Sequence, residues 1–206
     1  MRLVCVSDTH SSADLDQLAV PDGDLLIHTG DLTGYGSLAQ LEEFNDWVGK
    51  QPHRYKIVIA GNHDDELQAD FAKAARILSN CHYLQDSDVV IEGIKFYGMP
   101  WHNDGWAFSL ESAADIQQKL QAIPLDTDVL LTHAPPKGVL DRTGKGSNAG
   151  LDGLLDRVLL IDPTLHIFGH IHEGYGQFTK AGTLFVNAST CDVGYKLGNA
   201  PVVINL

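Results

Sequence analysis

The stretch Lys56-Ile57-Val58-Ile59-Ala60-Gly61-Asn62-His63-Asp64 decides the fold. Its first five residues form a short run rich in β-branched side chains. It is too short for a helix and suits a strand buried on both faces. A tight polar loop follows at once. The same unit recurs along the chain. Residues 3–6 precede Ser7-Asp8-Thr9-His10, and residues 24–28 precede Thr29-Gly30-Asp31. Val129–Thr132 precedes His133-Ala134-Pro135-Pro136, and Leu165–Phe168 precedes Gly169-His170-Ile171-His172.

Helical patterns lie between these runs. Residues 37–48 set Leu38, Leu41, Phe44, Asn45 and Val48 at helical spacing behind Ser37, a natural N-cap. Further helices are predicted over residues 67–78, over 109–120 with Ser109 as cap, and over 151–160, ending before Pro163. Residues 89–98 read as a hairpin turning through Glu92-Gly93, and residues 183–186 and 202–204 add late strands. Strand–helix alternation followed by a strand-rich remainder predicts a layered α/β sandwich, with helices outside two central β-sheets.

The chain has 206 residues, 44% hydrophobic and 20% charged, which suits one globular domain over residues 1–206. A net charge of −13 speaks against a dedicated nucleic-acid binder and against docking on anionic membranes. Cys5, Cys81 and Cys191 are odd in number and widely spaced, so no disulfide framework is predicted. The N-terminal apolar run is too short for a signal-peptide core. No apolar run approaches the ~18 residues of a membrane span. A cytoplasmic protein is expected.

The polar residues at the strand ends are Asp8, His10, Asp31, Asn62, His63, His133, His170 and His172. Loops at the carboxyl ends of strands are where α/β sheets bind ligands. Asp, Asn and His are good donors for first-row divalent metals. The set is too large for one four-coordinate ion. It is enough for two ions sharing a carboxylate, with one residue left for proton chemistry.

In order and context these motifs resemble the calcineurin-like metallophosphoesterase superfamily. The elements are Asp8-x-His10, Gly30-Asp31, Gly61-Asn62-His63-Asp64, His133 and Gly169-His170-x-His172. The segments Phe44-Asn45-Asp46-Trp47, Tyr97-Gly98-Met99-Pro100-Trp101 and Val186-Asn187-Ala188-Ser189-Thr190-Cys191 look closest to the small brain-type metallophosphoesterase-domain proteins and their bacterial relatives. That resemblance implies a four-layer αββα sandwich. It implies two divalent metal ions, Mn foremost, with Fe, Zn or Co as other candidates. Asp8, His10, Asp31 and His172 would hold one ion, and Asp31, Asn62, His133 and His170 the other. His63 would give a proton to the leaving group after attack by a water bridging the metals. The implied activity is that of a phosphodiesterase on cyclic nucleotides or similar small diesters. A phosphomonoesterase or nuclease on the same site, or a non-catalytic scaffold, is the alternative.

Departures from the superfamily's protein phosphatases narrow the substrate. Gly34 and Tyr35 stand where those enzymes carry an Asp and an Arg, and Ala60 replaces another Arg. Missing Arg clamps suit a diester, which carries less charge than a monoester. The expected partner is a small phosphodiester, a nucleotide foremost, with no duplex nucleic acid and no membrane. Trp101, His102 and Tyr175 are candidate substrate-binding residues, forming a wall for a nucleobase. His28 reads as a core residue or one that supports the site, while His53, His82 and His166 read as surface or strand-edge residues. Residues 142–150 fail the P-loop pattern and read as a mobile loop, with Arg142 and Lys145 as candidate phosphate contacts.

Overall fold

A computed structural model describes residues 1–11 and 14–206. In the first sheet, β1 (Arg2–Val6), β2 (Leu25–Thr29) and β3 (Tyr55–Ile59) run parallel, and a short β4 (His82–Tyr83) extends the edge beyond β3. The C-terminal strand β11 (Val202–Asn205) returns antiparallel on the other side of β1. The second sheet contains β5 (Ser87–Ile91), β6 (Ile94–Met99), β7 (Val129–Thr132), β8 (Leu165–Phe168), β9 (Gly176–Lys180) and β10 (Thr183–Asn187). Its order is β5-β6-β7-β8-β10-β9, with β6, β7, β8 and β10 parallel.

Strand alternation sorts the apolar residues into layers. Leu3, Cys5, Leu25, Ile27, Ile57 and Ile59 face Phe96, Val129, Leu131, Leu165 and Ile167 in a core between the sheets. Val4, Val6, Leu26 and Val58 pack on the opposite side, under α1 (Leu38–Lys50), α2 (Asp65–Ala69) and α3 (Phe71–Ile77). Tyr97, Met99, Leu130, Phe168 and Phe185 pack under α4 (Ala113–Ala122) and α5 (Leu154–Ile161). The result is the expected order of helices, sheet, sheet and helices. No helix among the described residues is long and apolar enough to cross a membrane.

Local chemistry moves some boundaries. Ser37 caps α1 as predicted, its hydroxyl accepting from the Gln40 N–H at 3.3 Å. The helix expected over 67–78 is broken in two at Asp70, whose extended backbone lets its carboxylate accept from the Lys73 N–H and cap α3. Helix α4 is capped by Ser112 rather than Ser109: Ser112 accepts from the Asp115 N–H and donates to its carboxylate. The hairpin turns through Glu92 and Gly93 at positive φ, as its sequence requires.

The parallel strands of both sheets end on one edge. There Ser7, just after β1, bridges to Ser189, just after β10, and the Thr190 N–H donates to the Ser7 carbonyl at 2.8 Å. The loops that follow β1, β2 and β3 therefore meet those that follow β6, β7 and β8.

Candidate metal centre

All eight strand-end residues converge on this edge. Backbone conformation delivers them: Asp8, His10, Asp31 and His170 have φ values of 54°, 50°, 57° and 68°. Each turns the chain sharply off its strand, in a region that non-glycine residues avoid. The loops are laced together by Asp8 N–H to the Gly30 carbonyl and His10 N–H to the Asp31 carbonyl, both 3.0 Å. The glycines of the two main motifs have a steric purpose. A Cβ on Gly61 would collide with the Asp31 carboxylate, and one on Gly169 with the Asp8 carboxylate and the Ser7 hydroxyl.

The donor atoms fall into two groups. In the first, His10 Nε2 lies 3.3 Å from His172 Nε2 and 3.7 Å from Asp31 Oδ2, while His172 Nε2 lies 3.5 Å from Asp8 Oδ1. In the second, Asn62 Oδ1 lies 2.9 Å from His133 Nε2 and 2.8 Å from His170 Nδ1, and His133 Nε2 lies 3.4 Å from Asp31 Oδ1. Asp31 thus offers one oxygen to each group.

The far side of most rings is held. His133 Nδ1 donates to the Thr29 carbonyl at 2.9 Å, and His172 Nδ1 to the Asp192 carbonyl at 2.8 Å. His170 Nε2 meets Asp104 Oδ2 at 2.8 Å, and the other oxygen of Asp104 pairs with His102 Nδ1. Such outer hydrogen bonds fix the tautomer and leave the inner nitrogen lone pair for a cation. The donors suit a pair of divalent ions, since imidazole, carboxylate and amide oxygen converge and, among the described residues, no Lys or Arg lines the cavity.

Electrostatics agree. Burial opposes ionisation of Asp8 and Asp31, yet His172 beside Asp8 and His133 beside Asp31 hold both carboxyls well below the usual range. Burial also opposes the charged form of His133 and His172. Asp31 outweighs it at His133, pushing that ring up to about 10, and Asp8 outweighs it at His172, pushing that ring up to about 9. At His10 burial wins over Asp31 and Asp8, and the ring is lowered. In the metal-free protein, protons on His133 and His172 therefore balance the buried carboxylates. Divalent ions would take their place.

His63 lies beside the first group, its ring 4.7 Å from the His10 ring and a donor atom of it within 4.8 Å of those of His10 and Asp31. Its backbone N–H donates to Asp31 Oδ1 at 2.9 Å, and its ring Nδ1 donates to the Gly34 carbonyl at 2.9 Å. A backbone carbonyl thus orients this ring. Asp64 is buried and is no solvated loop residue. It accepts from the N–H groups of Gly61, Leu32 and Thr33 and from the Thr33 hydroxyl, tying two site loops together. Burial, with the charge of Asp31, pushes its carboxyl up to about 6. Ser189 donates to Asp8 Oδ2 at 2.8 Å, and Asn187 donates to the Ile171 carbonyl at 2.9 Å. Their segment carries part of the family resemblance, but nothing in the sequence pattern marked these two residues as supports of the site.

Other expectations need correction. Trp101, His102 and Tyr175 do not line the cavity that holds the cluster. Trp101 donates to Asp86 at 2.7 Å and carries Lys119 over its ring, His102 is buried behind Asp104, and the Tyr175 hydroxyl donates to the Ala200 carbonyl. The cavity wall instead contains Asp104, Trp106 and Tyr195. Arg142 and Lys145 also lie outside it. Their segment is a hydrogen-bonded hairpin, with the Gly144 N–H donating to Glu173 at 2.7 Å. His53 and His166 are buried rather than at the surface.

Residues 1–174 match the family described as calcineurin-like phosphoesterase. The chain belongs to that family. Its members are phosphoric ester hydrolases that work with two metal ions. Metallophosphoesterase domain-containing protein 1 of Homo sapiens and that of Mus musculus are each 43% identical to this phosphoesterase over 232 residues, covering all of this chain and 71% of theirs. UPF0046 protein K07C11.7 of Caenorhabditis elegans is 40% identical over 218 residues, covering 98% of this chain and 74% of that protein. Among solved structures, TT1561 of Thermus thermophilus shares the fold with a TM-score of 0.64 at 12% identity, over 90% of this chain and 88% of that one.

Proposed function

We propose that this calcineurin-like phosphoesterase is a dinuclear-metal phosphodiesterase that hydrolyses cyclic nucleotides or similar small phosphodiesters. The observation that carries the reading is Asp31, with Oδ2 toward His10 at 3.7 Å and Oδ1 toward His133 at 3.4 Å. One carboxylate serves two donor groups. Asp8, His10, Asp31 and His172 would hold one ion, and Asp31, Asn62, His133 and His170 the other. Mn is the expected metal, with Fe, Zn and Co accepted by the same donors. When bound, such a pair polarises the phosphoryl oxygens and makes a water acidic enough to attack near neutral pH.

The remaining work belongs to side chains. The Gly34 carbonyl holds His63 through Nδ1, which leaves Nε2 for the departing oxygen. Asp104 and the carbonyls of Thr29 and Asp192 hold the ligand rings in place. The cavity is about 280 Å³ and no Lys or Arg among the described residues lines it, which favours a small, singly charged diester over a dianionic monoester. A net charge of −13 disfavours long polyanions. The free thiols Cys5, Cys81 and Cys191 fit a cytoplasmic setting.

The test is a substrate panel on protein stripped of metal and reloaded with Mn. The panel contains 2′,3′- and 3′,5′-cyclic nucleotides, mononucleotides, an aryl diester and single-stranded DNA. Cleavage of the small diesters, absent without metal, is the expected result. Preference for mononucleotides or DNA would overturn the diester assignment, and no turnover would favour a scaffold. His63→Ala should slow esters with poor leaving groups more than an activated aryl ester, because only the former need a donated proton. Equal losses would remove His63 from the role of acid.

A further inference from the structure

We propose that Trp106 and Tyr195 form a two-sided aromatic subsite at the cavity mouth that takes the planar base of a nucleotide ester. The proposal rests on the phosphoesterase reading of the metal centre and adds the group that the site recognises beyond phosphate. Trp106 follows β6 and Tyr195 lies between β10 and β11, yet both line the same cavity. The Trp106 ring lies 5.0 Å from the His63 ring at an interplanar angle of 35°. The Tyr195 ring lies 4.8 Å from His10, 5.5 Å from His172 and 6.1 Å from His63. The proposed leaving-group acid is therefore in ring contact with both aromatic side chains.

Two further observations separate this pair from ordinary packing. Trp106 is 69% exposed and Tyr195 is 55% exposed, whereas Trp47 is buried and Trp101 is engaged with Asp86 and Lys119. Large aromatic surface clustered in water at a site mouth marks a binding surface. Both residues also hold positive φ, 72° at Trp106 and 58° at Tyr195, a conformation that bulky side chains avoid. The turn under Tyr195 is braced for this. The Asp192 N–H donates to the Lys196 carbonyl at 2.8 Å, the Tyr195 N–H donates to the Asp192 carbonyl at 3.0 Å, and that carbonyl also receives His172 Nδ1. One aromatic wall is thus tied directly to a ligand histidine.

The chemistry selects the occupant. A phosphate centre in a cavity whose wall carries two exposed aromatic rings, and no Lys or Arg among the described residues, fits a flat, uncharged group joined to phosphate through a short linker. Nucleobases have this shape and stack on aromatic side chains regardless of their hydrogen-bonding edges.

Calorimetric titration of Mn-loaded protein with adenosine monophosphate and with ribose 5-phosphate, which lacks the base, isolates the subsite. Wild type should prefer the nucleotide by tenfold or more. The preference should fall toward one in the Trp106→Ala/Tyr195→Ala double variant and persist in Trp106→Phe and Tyr195→Phe, with circular dichroism confirming the fold. Should the double variant fail to fold, the two alanine variants made singly provide the same comparison. An unchanged preference in the alanine variants, or none in wild type, overturns the proposal. Phenyl phosphate binding as tightly as the nucleotide would overturn the nucleobase assignment. Failure of the enzymatic reading looks different: nucleotide preference would remain while no diester is turned over.

Discussion

His133 and His166 are both fully buried, and the hydroxyl of Thr132, one residue before His133, lies 2.9 Å from His166 Nε2. Their acidities nevertheless differ widely. His133, beside Asp31, is pushed up to about 10, while His166, pressed by burial alone, is pushed down to about 3. His28, on β2 under Phe44, also falls to about 3, because burial there outweighs the carboxylates. The difference teaches that burial alone makes a histidine neutral, and that at His133 the hydrogen-bonded carboxylate of Asp31 reverses the outcome, whereas at His10, 3.7 Å from the same carboxylate, it does not. The strand-end cluster stores protons that cations can replace, whereas the layers beneath the helices exclude them.

Removing Asp31 should break this contrast most completely. Asp31→Ala should lower metal affinity and hydrolysis by more than ~100-fold, beyond the usual cost of losing an outer hydrogen bond to a ligand. The same variant, metal-free, should show the His133 ring losing its upward shift in an imidazole NMR titration. Retention of both metals would contradict the two-group geometry. Asp104→Asn takes a carboxylate from His170 without touching the donor set, and should cost roughly 10–100-fold in metal affinity. Unchanged affinity would mean that the ring is held by its neighbours alone.

On the other side of the contrast, His166 carries a pH cost. The unfolded state takes up a proton near pH 6.5, but the folded state resists until about 3. Stability present above 6.5 is therefore lost as pH falls, by roughly 1.4 kcal/mol per unit below that point. His166→Gln should be less stable than wild type at pH 7.5, having lost packing. The gap should narrow by roughly 2 kcal/mol at pH 5, as read by urea unfolding. A gap independent of pH would show that His166 is charged in the fold. The smallest effect is calorimetric. Loading both ions near pH 7.5 should release about two protons, those on His133 and His172, seen as a heat that varies with buffer ionisation enthalpy.

Much of this site was legible because its chemistry clusters at strand ends, where short apolar runs stop at Asp, Asn and His. Less visible were residues that act from across the fold. Asp104, Trp106 and Tyr195 lie in loops without periodicity, and only the meeting of two sheet edges brings them to the cavity. His166 looked like a strand-edge residue because its run is short. Strand β8 is in fact flanked by β7 and β10, so its outward face lies under helices. The break at Asp70 was hidden among good helix formers, and the choice of Ser112 over Ser109 rests on Asp115 three residues on.

The left-handed turns at Asp8, His10, Asp31 and His170 carry a cost of roughly 1–2 kcal/mol each. The rest of the fold must supply that energy before any cation arrives. Evolution toward heat resistance and evolution toward turnover therefore pull these positions in opposite directions. Selecting metal-free protein for thermal tolerance would reward relaxed backbones at the very residues proposed to hold the metals. Selection with metal present would hide that conflict, because bound ions stabilise only the strained form.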